Sequence, residues 1–248
     1  MEFRQLLPEP GTVEIEALLD SVRATGGEDS GHPHTIANFV SSADGRATLA
    51  SRSGGLGDDG DRAVFHGLRE RVDAVLAGTR TLRTERYGRI ISKPERRARR
   101  IARGLPPEPL ACIITRSGDV PFDIPLFAEP EARVVIFAPR ALDTGGCAAQ
   151  VEVIELDLAE LTLTMALRRL RADFGVRLLL CEGGPTMFGA LLHEHAVNEL
   201  FLTIAPKLAG GGNGPTISAG PELADPQRIE LKWLLERNGS LYHRYEVT

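Results

Sequence analysis

Glu182-Gly183-Gly184-Pro185-Thr186 follows an apolar run, Val176 to Cys181, and precedes residues with helical spacing. Glycines where a strand becomes a helix leave backbone N–H groups exposed and let an anion approach closely. The start of the helix adds the positive end of its dipole, which is chemistry suited to a phosphate-bearing ligand. Pro185 fits the first helical turn and Thr186 adds a hydroxyl. A plain tight turn accounts for the two glycines equally well. Glu182 is harder to explain that way, because a carboxylate closing a buried strand needs a partner or a task.

Other positions repeat the logic. Gly78-Thr79-Arg80-Thr81 follows the short run Ala74 to Ala77 and places a small residue and two hydroxyls at a second strand–helix junction. It suits a diphosphate or a ribose; a helix cap uses the same residues. Two such junctions point to a dinucleotide, although the G-x-G-x-x-G fingerprint is missing. Thr115-Arg116-Ser117-Gly118 ends a third run. Arg116 and Ser117 there suit a ribose 2′-phosphate, hence NADPH over NADH, or simply a polar turn. Asp44 lies in Ser41-Ser-Ala-Asp-Gly-Arg46. Its carboxylate could accept from a heterocycle or relay a proton, and Asp-Gly is also a common turn. Asn38 sits among apolar neighbours, and its amide must be satisfied by the protein or by a ligand.

These groups need elements to position them. Thr35–Val40, Ala74–Ala77, Leu110–Thr115, Arg133–Ala138, Val151–Leu156, Val176–Cys181 and Glu199–Ala205 read as strands. Asp61–Arg71 (with Asp61 as cap), Leu161–Phe174 and Thr186–His193 read as helices. Ile229–Glu236 and Leu241–Val247, joined by Asn238-Gly239, read as a hairpin. Thr12–Ala24 reads as a short amphipathic helix. Gly26–Pro33, Ser51–Gly60 and Gly210–Gly214 read as loops. The alternation predicts an α/β fold with a mostly parallel central sheet, flanking helices and a C-terminal antiparallel hairpin. We expect an N-terminal extension over residues 1–32 and one domain over 33–248.

The 248 residues, 42% hydrophobic and 25% charged, have ordinary globular composition. A net charge of −5 argues against a nucleic-acid binder. No apolar run reaches membrane-spanning length, and the N-terminus lacks a basic region followed by an apolar core. Cys112, Cys147 and Cys181 are too scattered for a metal site and read as reduced, packing residues of a cytoplasmic protein. His32, His34, His193 and His195 fall in no metal motif, so no metal is expected. The arginines from Arg96 to Arg103 read as a solvated face, or as a run that draws in an anionic substrate.

Five stretches, NFVSSADGRAT, RVDAVLAGTRTLRTE, RGLPPEPLACIITRSG, LLLCEGGPTMFGALL and VNELFLTIAPKLAGGG, occur in this order between Pro33 and the C-terminus. Together they resemble the pyrimidine reductase family of riboflavin biosynthesis, which is often the C-terminal half of a bifunctional deaminase/reductase and has the dihydrofolate reductase fold. The resemblance implies NADPH as cofactor, held by Gly78, Thr79, Thr81, Glu85, Arg116, Ser117, Gly183, Gly184, Pro185 and Thr186. It implies Asn38, Asp44 and Arg46 at the substrate, with Asp44 and Glu182 as catalytic candidates. The implied reaction is hydride transfer to the ribosyl C1′ of a 5-amino-6-ribosylaminopyrimidine 5′-phosphate by a homodimer. Reduction of a dihydrofolate or pterin, and NADPH binding without catalysis, are the alternatives. Three features depart from the family. The deaminase half is absent, the N-terminal extension is unmatched, and Arg46 replaces a frequent lysine with a group that keeps its proton at neutral pH.

Overall fold

A computed structural model describes residues 1–24, 31–49, 54–210 and 214–248. The first half of the chain runs β1 (Glu2–Leu7), β2 (Gly11–Glu14), α1 (Ile15–Leu19), β3 (His34–Ser42), α2 (Asp59–Arg69), β4 (Ala74–Leu76), α3 (Thr79–Glu85), α4 (Pro94–Ala102) and β5 (Leu110–Ile114). The second half runs β6 (Arg133–Ala138), β7 (Gln150–Glu155), α5 (Leu163–Phe174), β8 (Leu178–Cys181), α6 (Pro185–His193), β9 (Glu199–Ala205), β10 (Ile229–Arg237) and β11 (Ser240–Val247). The chain forms two units. One comprises Met1–Arg23, Thr35–Leu68 and Glu182–Thr248; the other comprises Ala24–His34 and Arg69–Cys181. Parts of the three expected glycine-rich loops, residues 26–30, 51–53 and 211–213, lie outside the described residues.

In the second unit the strands run in the order β8-β4-β5-β6-β7, all parallel, with Leu76 opposite both Cys112 and Cys181. Parallel strands are covered on both faces, which is why β4, β5 and β8 are continuous apolar runs. Cys112 and Cys181 are buried thiols within them, not joined in a disulfide, and burial pushes Cys112 well above the ordinary thiol range. Helix α5 buries the face made by Leu163, Ala166, Leu167 and Leu170. Thr162 caps it by accepting from the Met165 N–H at 3.1 Å, and Gly175 ends it in the left-handed region.

Arg99 and Arg103 are exposed, as a solvated face requires, but Arg96 and Arg97 are half-buried and Arg100 is buried. Arg96 and Arg99 both donate to Glu70, which is buried, with Arg99 Nε at 2.7 Å. Arg97 bridges Glu108 at 2.7 Å and Glu131 at 2.9 Å, and Arg100 is fully buried. Burial pushes the Glu108 carboxyl upward despite these donors, whereas Glu70 is held below the usual range because its arginine donors outweigh burial. Charges placed inside a fold require such partners.

In the first unit β2-β1-β10-β11-β9 are antiparallel neighbours, and β9 pairs in parallel with β3. The turn between β10 and β11 holds Asn238 at φ 51° and Gly239 at φ 82°, the backbone that makes Asn-Gly a hairpin signal. The expected helix over Thr12–Ala24 is corrected here. Gly11–Glu14 pairs with β1, and β1 pairs in turn with β10, with Arg4 opposite Glu236. Strand pairing prevails over the local helical pattern, and the helix keeps Ile15–Leu19 alone. Parallel central strands and antiparallel C-terminal strands make the fold mixed α/β, as expected.

The expected cap of α2 is also corrected. The helix begins at Asp59, and the Asp58 carboxylate accepts from the Asp61 N–H at 2.9 Å. Asp58 also accepts from Tyr242 at 2.7 Å and Ser240 at 2.8 Å. Burial alone would raise this carboxyl, but the donors outweigh it and hold it below the usual range. Asp61 is the opposite case: burial pushes it up to about 6 against a bond from Thr203, with the Asp58 charge adding to the rise. The sign follows. Below about pH 4 the carboxyl is protonated folded and unfolded, and it costs nothing. As pH rises through about 4 to 6 the unfolded state ionises first and stability is lost, by about 3 kcal/mol once both states are ionised. Asp61→Asn gives up a favourable charge in the first helical turn. The net expectation is about 1–2 kcal/mol of added stability near pH 7.5 and none near pH 4. Thermal melts at the two pH values check this; an equal shift at both would sink it.

Candidate active site

In the first unit, Asn38 lies on β3 opposite Phe201 of β9 and is half-buried. Its side-chain amide has no hydrogen bond among the described residues. Ser42 ends β3 opposite Ala205, the end of β9, so the segments leaving both strands depart from one edge. That edge is where Asp44 is held. Its carboxylate accepts from the Ser42 hydroxyl, the Ala209 N–H at 3.0 Å and the Gly210 N–H at 2.7 Å. These donors, Ser42 foremost, hold the exposed carboxyl down at about 2. Asp44 is therefore an anion at every working pH and gives no proton to a substrate. The contribution of these bonds is complete above about pH 4 and is lost as pH falls towards 2. Asp44-Gly45 does form a turn, with Gly45 at φ 86° donating to Ser42 O at 3.0 Å.

Arg46 donates Nη1–H to Gly214 O at 2.6 Å, and its backbone N–H reaches Ser42 Oγ at 2.9 Å. Sequence reasoning missed Lys207, which donates to Gly55 O at 2.8 Å and Leu56 O at 3.2 Å while its own carbonyl accepts from Ala43 N at 2.9 Å. Asp44, Arg46 and Lys207 thus tie together the turn after β3, the segment after β9 and the chain before α2. The run Ala205-Pro206-Lys207 offered a signal, a cation just past a strand end at the same edge as Asp44.

Glu182 is buried and engaged by a partner. Gly183 has φ 90°, and a Cβ there would lie 3.0 Å from Phe39 Cε1. Gly184 precedes α6 without a side-chain cap, and Pro185 occupies its first turn. Pro185 carries no N–H, and the first intrahelical donor is Phe188 N to Gly184 O at 3.1 Å. The amides of Thr186 and Met187 therefore have no acceptor within the helix, the arrangement that receives a phosphate. These residues fit a nucleotide diphosphate: small at the turn, uncapped at the helix start, and with Thr186 exposed.

In the second unit Gly78 precedes α3 in extended geometry, again without a side-chain cap. Thr79 and Thr81 are half-buried in the first turn, and Glu85 ends the helix, exposed but engaged. Strand β5 beside β4 leads to the Thr115–Gly118 turn. Thr115 Oγ1 accepts from Gly118 N at 3.1 Å, and Ser117 Oγ accepts from Asp119 N at 3.1 Å. The Arg116 and Ser117 side chains are exposed. Gly78, Thr79 and Thr81 thus gather at the end of β4, and Arg116 and Ser117 at the end of its neighbour β5. Among the described residues no group of His, Cys, Asp and Glu is placed to hold a metal ion, and no helix is long and apolar enough to cross a membrane.

The reductase of Archaeoglobus fulgidus described as 2,5-diamino-6-ribosylamino-4(3H)-pyrimidinone 5′-phosphate reductase is 26% identical over 204 residues, 80% of this chain and 91% of that protein. The riboflavin biosynthesis protein RibD of Mycobacterium tuberculosis is 29% identical over 185 residues, 73% of this chain and 44% of that longer protein. Among solved structures, a pyrimidine reductase-like protein from Corynebacterium diphtheriae superposes with a TM-score of 0.78 at 24% identity, covering 95% of this chain and 99% of that one. The fold is accordingly that of the dihydrofolate reductase-like reductase domains. The RibD C-terminal domain family matches residues 33–238, and the chain belongs to that family.

Proposed function

We propose that this chain is an NADPH-dependent reductase acting on a ribosylaminopyrimidine 5′-phosphate, delivering hydride to the ribosyl C1′ so that the sugar becomes an open ribityl chain. The observation that carries the reading is the extent of the match to the Archaeoglobus reductase, which spans 91% of that protein. The reductase domain is residues 33–248, preceded by an extension over 1–32, and the enzyme works as a cytoplasmic homodimer.

The bound nicotinamide supplies the hydride; the protein supplies binding, orientation and electrostatics. In the first unit the amides of Thr186 and Met187 suit a diphosphate; in the second unit the uncapped start of α3 suits a phosphate. Gly78, Thr79, Thr81, Glu85, Gly183, Gly184 and Pro185 shape the nucleotide contacts, and Arg116 and Ser117 take the 2′-phosphate. Asn38, with its unpaired amide, reads the pyrimidine. Asp44 acts as a fixed anion that orders the 207–210 segment and polarises the substrate. Glu182 is the second catalytic candidate. Arg46 serves binding, and the proton required by the product comes from solvent or from Glu182.

The test follows NADPH oxidation with ribosylaminopyrimidine phosphates carrying either an amino or an oxo group at C2, with dihydrofolate in parallel. We expect turnover of a pyrimidine and a fall in kcat/KM of about tenfold or more in Asp44→Ala, a magnitude typical of a lost charge-assisted contact. The pH profile above about pH 4 should show no limb from Asp44. Turnover of dihydrofolate alone would move the chain to pterin reduction. NADPH binding without any turnover would make it a nucleotide-binding protein.

A further inference from the structure

Arg140 lies two residues beyond the end of β6, as Arg116 lies two residues beyond the end of β5. The strands are parallel neighbours with Ile114 opposite Phe137, and Thr115 N donates to Phe137 O at 3.0 Å. The Arg140 guanidinium packs on the turn after β5. A methyl group built on Gly118 would sit 3.1 Å from both Nε and Nη2 of Arg140. Gly118, at φ 72°, is held to glycine by its backbone, and the Arg140 guanidinium rests in the space beside it.

The charges at this turn are unbalanced. Asp119, the nearby acid in the chain, already pairs with Arg83 at 2.9 Å. Neither Arg116 nor Arg140 has an ion-pair partner among the described residues; Arg116 has a 3.5 Å contact to Leu161 O. Both side chains are exposed, and Ser117 Oγ and Thr115 Oγ1 lie 3.3 Å apart in the same turn. Two un-neutralised guanidinium groups at adjacent strand ends, with a hydroxyl pair between β5 and Gly118, call for a compact dianion, because arginine pairs with phosphate through its planar fork.

We infer that Arg140 is a specificity-determining residue that joins Arg116 and Ser117 in binding the ribose 2′-phosphate. The inference rests on the NADPH reading above. Arg140 belongs to no nucleotide-binding motif, and the close approach of its guanidinium to Gly118 is what places it at this turn.

Calorimetric binding of adenosine 2′,5′-bisphosphate and of adenosine 5′-monophosphate separates the two propositions without requiring turnover. Wild type should prefer the bisphosphate. Arg140→Gln should weaken bisphosphate binding about 10- to 30-fold, the effect of one lost charge-assisted contact, and leave the monophosphate unchanged. Arg140→Lys should recover part of the loss, and kcat/KM for NADPH over NADH should fall in parallel in Arg140→Gln. If Arg140→Gln binds both nucleotides as wild type does while wild type still discriminates between them, the role of Arg140 is overturned and the NADPH reading stands. If wild type does not discriminate, the 2′-phosphate reading falls and Arg140 falls with it. Arg140 is exposed, so a folding failure is not expected, and a melt of Arg140→Gln matching wild type verifies it.

Discussion

Gly183→Ala is expected to weaken NADPH binding about 100-fold or more and to lower stability by about 2–4 kcal/mol. Two costs meet at this residue. At φ 90° a Cβ clashes with its own backbone, which costs a non-glycine residue about 1–2 kcal/mol. The new methyl would also lie 3.0 Å from Phe39 Cε1 and 3.3 Å from Cζ. Phe39 cannot simply swing aside, because its ring packs on Phe188 of α6 with centroids 4.7 Å apart. The chain must yield instead, and what yields is the turn that aims the Thr186 and Met187 amides. A displacement near 1 Å at such a site is enough to cost about two orders of magnitude. Titration with NADPH and a thermal melt of the same sample separate the two effects. A variant that melts lower but binds NADPH as wild type does would leave the turn a structural feature and remove it from the cofactor site.

The legible parts of this molecule are those whose determinants are close in sequence. The Asn238-Gly239 hairpin and the Glu182–Thr186 junction each depend on a handful of consecutive residues, and each forms where expected. The illegible parts depend on distant partners. The N-terminal hairpin exists because β10, more than two hundred residues later in the chain, offers β1 an edge (Arg4 opposite Glu236). The local apolar spacing of Thr12–Ala24 carries no trace of that. Asp44 illustrates the same limit within the site. Its position at a strand end was readable, but its state is set by the Ser42 hydroxyl two residues away together with the amides of Ala209 and Gly210, 165 and 166 residues away, and only the first of these donors is local. Arg140 has no motif and is visible through the space that Gly118 leaves for it.

Arg96, Arg97 and Arg100 of α4 depart from the expected solvated face for the same reason, and Arg100 is the most deeply buried of them. Arg100→Met is expected to destabilise the protein by about 3 kcal/mol, lowering its melting temperature by about 6–12 °C for a chain of this size. Arg100 is fully buried and donates Nε–H to Pro106 O and Nη1–H to Arg69 O and Val72 O, each at 2.8 Å. Burial lowers its pKa to about 10, against the attraction of Asp73, Glu108 and Glu70, so it remains a cation at neutral pH. Methionine fills similar space and removes the cost of burying that charge, about 3 kcal/mol by the same shift. Against that, the buried carbonyls of Arg69 and Val72 lose their donor at about 1–3 kcal/mol each, and the part-buried bond to Pro106 O and the packing of the guanidinium are lost as well, which on balance exceeds the relief. The carbonyls of Arg69 and Val72 belong to the segment that enters β4, and β4 presents Gly78 and Thr79. The loss should therefore appear first as fraying of the entry to β4, read as faster hydrogen exchange over residues 70–76. An unchanged melting temperature would mean that water or backbone adjustment satisfies those carbonyls, and that Arg100 is not what fixes this strand.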